Sequence, residues 1–265
     1  NAQVTVEVGE QKELFTFEMS KPKKRGKNKL IFDINGISPL GAEELAELEG
    51  KKLTNASLFI DSVSIAESAS EVEAVSEAFQ SYTPGTWGSK VFAPYVDMGA
   101  WPVPNLKDMA ASAGVDIKDM HFNAGFINST TDGKAAWAGL QALEISIDSG
   151  QAGDIKNSLA KAQLAGAEVS ISFGGETGTS LAENYQQNQK TSTDLANTYQ
   201  DVLDTFKVNR LDFDIESNAA TSNIASINLR NDAIGIIQQK NPDVSIWLTL
   251  KVLPSGLPDP AFNIF

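Results

Sequence analysis

The amino-acid sequence predicts an α/β protein in which a parallel sheet covered by helices follows a small β-rich segment. Up to about Ala66, apolar and polar residues alternate at period 2 with no helical run between the apolar stretches, which is typical of antiparallel strands. From about Lys90 onward, short apolar runs alternate with amphipathic helical segments. That second pattern indicates parallel strands joined by helical crossovers.

The segment 1–66 predicts a compact, sandwich-like antiparallel module. A basic turn at 21–27 lies between two of its strands, and 41–49 is either a short helix or a turn. The module is either carbohydrate-binding or an inert spacer, and we favour binding. Residues 67–89 shift to Ser, Ala, Glu and Val and end with the turn signals Thr83, Pro84, Gly85 and Gly88, so we expect a linker there. The apolar runs are 4–8, 14–17, 30–34 and 58–65.

The segment 90–265 predicts five strand-helix units. Amphipathic spacing is clearest in the helix around Leu195–Phe206, where apolar residues fall on one face. Asp154 is expected to cap the helix Ile155–Leu164, and Gly114 to end an earlier helix that starts near Asn105. A further helix is expected over 222–239. The predicted strands are 91–96, 122–127, 169–173, 211–215 and 244–250.

Two architectures fit this alternation, an open doubly wound sheet and a closed (β/α) barrel. The open sheet usually carries a Gly-rich phosphate loop directly after its first strand. Residues 97–102, Asp-Met-Gly-Ala-Trp-Pro, do not fit such a loop, which favours the barrel. Five strands cannot close a barrel whose strands all need hydrogen-bonded neighbours. We therefore expect the barrel to be incomplete within this chain.

Composition narrows the function classes. The formal net charge of −13 would repel phosphate backbones and anionic lipids, so we expect neither nucleic acid nor membrane as a partner. No stretch approaches the roughly 20 apolar residues that cross a bilayer. The chain has no cysteine, which excludes thiolate chemistry and disulfide scaffolds. No charged-then-apolar leader opens the sequence, so we expect any export signal to be removed or never present.

The strongest chemical signal is the acidic strand Leu-Asp-Phe-Asp-Ile-Glu at 211–216. Because side chains alternate faces on a strand, Asp212, Asp214 and Glu216 point one way. Buried neighbouring anions repel, so at least one should keep a proton near neutral pH, as a general acid must. Two other interpretations are an exposed edge strand made soluble by its acids and a site for a hard cation.

A second signal lies one unit earlier, where Ser-Phe-Gly-Gly at 172–175 ends the third strand. Glycines permit close backbone approach, and Ser172 can hydrogen-bond an acid on the neighbouring strand. Gly174 and Gly175 could also form an ordinary strand-to-helix turn. The pairing with the acidic strand is what makes this motif informative.

Together, these two motifs resemble the signatures of glycoside hydrolase family 18, the chitinases, and the similarity extends over about 90–265. The bacterial branch that joins the barrel to binding modules is the most similar. The resemblance implies an eight-stranded barrel and a secreted, extracellular, monomeric chitinase that needs no cofactor or metal. It also implies chitin or N-acetylglucosamine oligosaccharides as the ligands. Supporting stretches are Phe92–Asp97, Phe122–Asn128 and Leu248–Pro254.

The resemblance also implies residue roles. Glu216 would protonate the glycosidic oxygen and then act as base, while Asp214 would hold the substrate's 2-acetamido group as it attacks the anomeric carbon. Asp212 would share charge with Asp214. Ser172, Gly174 and Gly175 would support the acids, Tyr95 would lie near the sugar-binding floor, and Trp101 is a candidate cleft residue on the loop after the first strand.

One motif position departs from the family pattern, because Asn209 occupies a place where the family commonly has Asp. The role there is supportive, so activity should survive the change. Two alternative functions are an endo-β-N-acetylglucosaminidase acting on glycoprotein glycans and a non-catalytic chitin-binding barrel. Lectins of the second kind usually lose the acid, which Glu216 retains here.

Overall fold

The computed structural model describes residues 2–8, 11–17, 62–67, 69–88 and 90–257. The chain divides into two compact units, Asn1–Ala74 and Val75–Phe265. Among the described helices, none combines the length and the apolar character needed to cross a membrane.

In the first unit, three antiparallel strands are described: β1 (Ala2–Val8), β2 (Gln11–Phe17) and β3 (Ser62–Glu67). β1 is central and pairs with both others. The predicted features at 21–27, 30–34 and 41–49 lie outside the described residues, so the sandwich-like module and its binding role stay predictions. Helix α1 (Ala69–Gln80) lies within the predicted linker, where Ala and Glu are also strong helix formers.

The second unit contains a mixed sheet flanked by helices. Five parallel strands follow one another in the order β4-β5-β7-β8-β9, and β6 pairs antiparallel with β5. The strands are β4 (Tyr95–Asp97), β5 (His121–Ser129), β6 (Ala135–Trp137), β7 (Glu168–Gly175), β8 (Arg210–Ile215) and β9 (Ser245–Leu250). The helices are α2 (Leu106–Ala113), α3 (Gly150–Leu164), α4 (Leu181–Gln187), α5 (Ser192–Phe206), α6 (Asn218–Ser222) and α7 (Ile224–Lys240).

The strand order decides between the two predicted architectures. A doubly wound sheet reverses its order at a switch point, whereas these parallel strands run in sequence without reversal. The Tyr95 hydroxyl on β4 nevertheless reaches Asp212 on β8 at 2.8 Å. Strands three positions apart in a flat sheet would lie about 14 Å apart. The sheet therefore curves strongly, as part of a barrel does.

Alternation along β8 separates the core from the inner face. Leu211, Phe213 and Ile215 are buried in the layer between sheet and helices. Phe213 stacks on Phe173 with ring centroids 5.1 Å apart, and Tyr199 of α5 meets both rings edge-on. The apolar positions predicted for α5 are all buried. The polar residues of β8 consequently face the inside of the curved sheet.

Local signals set the element ends, and some differ from the predicted ones. The Asn105 side chain caps α2, and Gly114, with a left-handed φ of 71°, ends it. The first strand is shorter than the predicted 91–96, because Pro94 has no amide to donate and only its carbonyl joins the ladder, to the Asn123 amide. Asp154 is not the cap of α3, which starts after Ser149.

Candidate active site

The site lies on the inner face of the curved sheet, toward the carboxyl ends of β7, β8 and β9, where polar side chains of these strands meet Tyr95 of β4. Parallel pairing places Ser172 beside Asp212 and Asp214 beside Thr249. Barrel enzymes build their active sites at this end of the strands. The predicted acids therefore share the inner face of β8 with their neighbours on adjacent strands.

Asp212 is fully buried, with 0% of its surface exposed, and hydroxyl groups from three strands hold its carboxylate. Ser172 of β7 donates to Oδ2 at 2.6 Å, and Tyr95 of β4 donates to the same oxygen at 2.8 Å. Thr249 of β9 donates to Oδ1 at 2.9 Å. These bonds compensate for the lost hydration of a buried carboxylate. The hydrogen bond predicted for Ser172 is thus present in the structure.

Asp214 lies two residues further along β8 and has a strongly perturbed acidity. Burial, followed by the charge of Glu216, a hydrogen bond with Glu216 and the charge of Asp212, raises the pKa of Asp214 to about 7. Its Oδ1 is buried and has no hydrogen-bond partner. A pKa raised in this direction favours a proton on Asp214 near neutral pH, next to the residue predicted as the acid.

Glu216 follows the last residue of β8 and is half-buried. Its charge and a hydrogen bond with it are among the causes that raise the pKa of Asp214, so the two carboxyl groups influence each other. The strand thus carries a gradient from the enclosed Asp212 to the more accessible Glu216. That order suits Glu216 as the group that meets a ligand at the open end and Asp212 as a group that supports the site from below.

Gly174 and Gly175 are required by close approach and by backbone conformation. Gly174 has φ 103°, and a Cβ at this position would collide with the main-chain oxygen of Asp214. Gly175 has φ 83°, and its Cβ would press on the Phe126 ring at 3.3 Å. Only glycine adopts such conformations without strain. Gly174 lets β7 approach the acidic strand closely, and Gly175 leaves room for the Phe126 ring of β5.

The aromatic candidates occupy different surroundings. Tyr95 is 41% exposed and stacks on Phe126 with centroids 5.5 Å apart. Burial of its hydroxyl, reinforced by Asp212, raises the pKa of Tyr95 well above its usual range, so the phenol keeps its proton. Trp101 is 72% exposed on the loop after β4. The structure brings Tyr95 to the acids and leaves Trp101 on the surface, without contact to them.

Three residues at the site were not predicted. Thr249 contacts both Asp212 and Tyr95, Phe126 stacks on Tyr95, and Asn128 donates to the carbonyl of Gly174 at 2.8 Å. Thr249 lay within a stretch noted for its family resemblance, but only the β8–β9 register reveals its place. Asn209, the departure from the family motif, donates to the carbonyl of Gly85 at 3.0 Å.

The surroundings of the acids also bear on metal binding. Within the part of the chain that the structure describes, no group of three or more His, Asp or Glu side chains is arranged to hold a metal ion. The contacts of Asp212 come from hydroxyl donors, which suit a carboxylate held by hydrogen bonds.

Sequence comparison finds chitinases. The chain is 33% identical over 186 residues to endochitinase 11 of Metarhizium anisopliae, covering 67% of this chain and 32% of that protein. It is 31% identical over 184 residues to a probable bifunctional chitinase/lysozyme of Escherichia coli K12, covering 67% of this chain and 19% of that protein. No family model matches. The chain thus spans about one third or less of the curated relatives it matches.

Comparison with solved structures also finds a chitinase. The catalytic domain of a hyperthermophilic chitinase from Pyrococcus furiosus superposes with a TM-score of 0.52 at 29% identity. The match covers 65% of this chain and 51% of that domain, so the predicted fold class, part of a TIM barrel, is confirmed. By sequence and by fold, the chain belongs to glycoside hydrolase family 18.

Proposed function

We propose that the enzyme containing this chain is a chitinase that hydrolyses β-1,4-linked N-acetylglucosamine polymers with retention, using the substrate's own acetamido group as nucleophile. The observation that carries the proposal is the pair formed by Asp214 and Glu216. Asp214 has a pKa raised to about 7 and a hydrogen bond with Glu216, and its buried Oδ1 has no partner. A buried acceptor without a donor is a place for a ligand N–H.

In the proposed first step, the proton that Asp214 and Glu216 share passes from Glu216 to the glycosidic oxygen as the bond from that oxygen to the anomeric carbon breaks, which leaves Asp214 as a carboxylate. The acetamido carbonyl oxygen of the same sugar attacks the anomeric carbon and forms a cyclic oxazolinium ion. Asp214 accepts a hydrogen bond from the acetamido N–H and stabilises the developing positive charge. The leaving sugar departs as a neutral alcohol.

In the second step, Glu216 acts as base and removes a proton from water. The water oxygen attacks the anomeric carbon, the oxazolinium ring opens, and the acetamido group is restored. Two displacements at one carbon give net retention, and Glu216 regains its proton. Asp212, held by Ser172, Tyr95 and Thr249, stays close beneath Asp214 throughout.

The substrate class follows from the same contacts. An oligomer of N-acetylglucosamine is neutral, so the net charge of −13 does not repel it, whereas it would repel an anionic polymer. Tyr95 offers a partly exposed ring above Asp212, and Trp101 offers an exposed indole near the same end of the sheet. Both are suited to stacking on sugar faces. A polymeric extracellular substrate also fits a secreted enzyme.

The test uses the full-length enzyme and matched chitin oligomers, acetylated or deacetylated at the reacting sugar. We expect Glu216→Gln to lower kcat on the acetylated oligomer by about 10²- to 10⁴-fold, with binding largely kept. Deacetylated oligomers should be poor substrates even for the wild type. Comparable cleavage of both oligomers would exclude the acetamido mechanism, and loss of activity on chelation alone would favour a metal site at the same carboxylates.

A further inference from the structure

We propose that Thr249 is a positioning residue of this site, acting through its hydroxyl on Asp212 and Tyr95 rather than on the substrate. The inference rests on the proposed function, because its main measurement is turnover. Thr249 Oγ1 lies 2.9 Å from Asp212 Oδ1 and 2.7 Å from the Tyr95 hydroxyl. The Tyr95 hydroxyl in turn lies 2.8 Å from Asp212 Oδ2. The contacts close a ring that joins β4, β8 and β9.

Thr249 supplies what the other two hydroxyls do not. Ser172 and Tyr95 both donate to Oδ2 of Asp212, whereas among the described residues Thr249 is the one donor to Oδ1. Asp212 is fully buried, so water cannot replace a lost donor. Without the Thr249 hydroxyl, one oxygen of a buried carboxylate would be unsatisfied, which is among the more costly defects a site can carry.

The same hydroxyl also fixes Tyr95. This ring is partly exposed and packs on only one described ring, that of Phe126. Each hydroxyl has a single hydrogen, so while Tyr95 and Thr249 both donate to Asp212, their mutual contact at 2.7 Å is a close packing contact. That contact limits where the Tyr95 hydroxyl can lie. Thr249 therefore links the ring predicted to lie under the sugar to the carboxylate beneath Asp214.

The position of Thr249 on β9, the fifth parallel strand, explains how it reaches this site. Thr249 pairs with Asp214 in the β8–β9 register, so its side chain shares the inner face with the acids. The curvature of the sheet brings Tyr95 of β4 across to it. Its neighbour Leu248, on the opposite face of β9, is more exposed at 38% and serves as a matched control position on the same strand.

The experiment compares Thr249→Val, which keeps the shape and removes the hydroxyl, with Thr249→Ser, which keeps the hydroxyl. In the full-length enzyme we expect Thr249→Val to lower kcat on acetylated chitin oligomers by about 10- to 100-fold with KM little changed. Thr249→Ser should restore most of the activity, and Leu248→Val should leave it unchanged. Thr249→Ala provides a second variant without the hydroxyl if the valine variant does not fold.

A double-mutant cycle with Tyr95→Phe sharpens the test. If Thr249, Tyr95 and Asp212 act as a unit, the Thr249→Val/Tyr95→Phe double variant should lose much less activity than the product of the two single losses. The role of Thr249 would be overturned if Thr249→Val had the same kcat as the wild type, or if Thr249→Ser were as impaired as Thr249→Val. It would also be overturned if the effects of Thr249→Val and Tyr95→Phe were fully additive. An inactive wild type would instead overturn the proposed function on which this inference depends.

Discussion

The inner face of the curved sheet has two layers that stabilise charges of opposite sign, a cation packed between aromatic rings in one and carboxyl groups held by hydroxyls in the other. At the amino ends of the strands, the Arg210 guanidinium lies between the rings of Trp87 and Trp247, 4.5 and 4.4 Å from their centroids. His121 meets Trp87 edge-on at 4.7 Å. Large rings fill this layer around one cation, an arrangement that favours cation–π attraction and close packing.

Two residues further along the same strand, toward the carboxyl ends, the anions meet hydroxyl groups and glycines. Asp212 is held by hydroxyls, and Gly174 and Gly175 supply no side-chain volume at all. Asp214 keeps a buried oxygen without a partner. One strand therefore stabilises the barrel at one end and holds a reactive group at the other, in accordance with the division of labour in this fold.

The largest effect is expected where the two strands of the acidic layer touch. Gly174→Ala would force a Cβ against the Asp214 carbonyl in a backbone conformation that alanine rarely adopts. We expect the free energy of unfolding to fall by about 2–4 kcal/mol and turnover to be lost as β8 shifts. Denaturant unfolding and an oligomer assay measure the two effects.

Gly235→Ala is the matched control for that substitution. Gly235 lies within α7, and a Cβ there meets nothing within 4 Å. An alanine in this helix should raise the free energy of unfolding by about 0.5–1 kcal/mol and leave turnover unchanged. A stable, active Gly174→Ala variant would show that close approach of β7 to β8 is not needed.

Substituting a tryptophan in each layer should affect different properties, namely stability in one layer and substrate binding in the other. Trp87→Ala removes one ring from the Arg210 stack, so we expect stability to fall by about 2 kcal/mol with kcat and KM nearly unchanged. Trp101→Ala, at an exposed position of the other end, should keep stability within about 0.5 kcal/mol and raise KM for oligomers about 2- to 10-fold. A reversed pattern would contradict the division between the layers.

Sequence reasoning found the acidic layer because the period of a strand is independent of tertiary context. Alternation alone put Asp212 and Asp214 on one face, and proximity in a parallel sheet put Ser172 within reach of an acid. Thr249 was not found, because its contact depends on the β8–β9 register and on sheet curvature. Neither quantity is encoded by local periodicity.

Element ends were less predictable for local reasons. Helix α4 was missed because it has only seven residues, although Ser180 and Glu183 form a capping box at its start, a signal present in the sequence. The Trp87–Arg210–Trp247 stack was not predicted either, because Trp87 lies in the segment assigned to a linker. Its place beside β8 and β9 is a long-range consequence of folding.

The pH dependence of stability gives the finest test of the acidic layer. The pKa of Asp214 is raised from 3.8 to about 7, so between these values the folded state binds more protons than the unfolded state. Its contribution to stability is full below about pH 3.8 and is lost as pH rises through about 7. Asn at this position cannot ionise, so Asp214→Asn should lack this loss.

We therefore expect the stability of Asp214→Asn relative to wild type to increase between pH 5 and pH 8. One pKa unit corresponds to about 1.4 kcal/mol, and because solvent reaches the open end of the site we expect about 1–2 kcal/mol in total. Because the Glu216 charge is the second cause of the raised pKa, the increase should shrink in a Glu216→Gln background. Denaturant unfolding at several pH values measures both differences. A relative stability that stays constant with pH would mean that Asp214 is already ionised in the folded protein at pH 5, and the proton placed beside Glu216 would have to be assigned elsewhere.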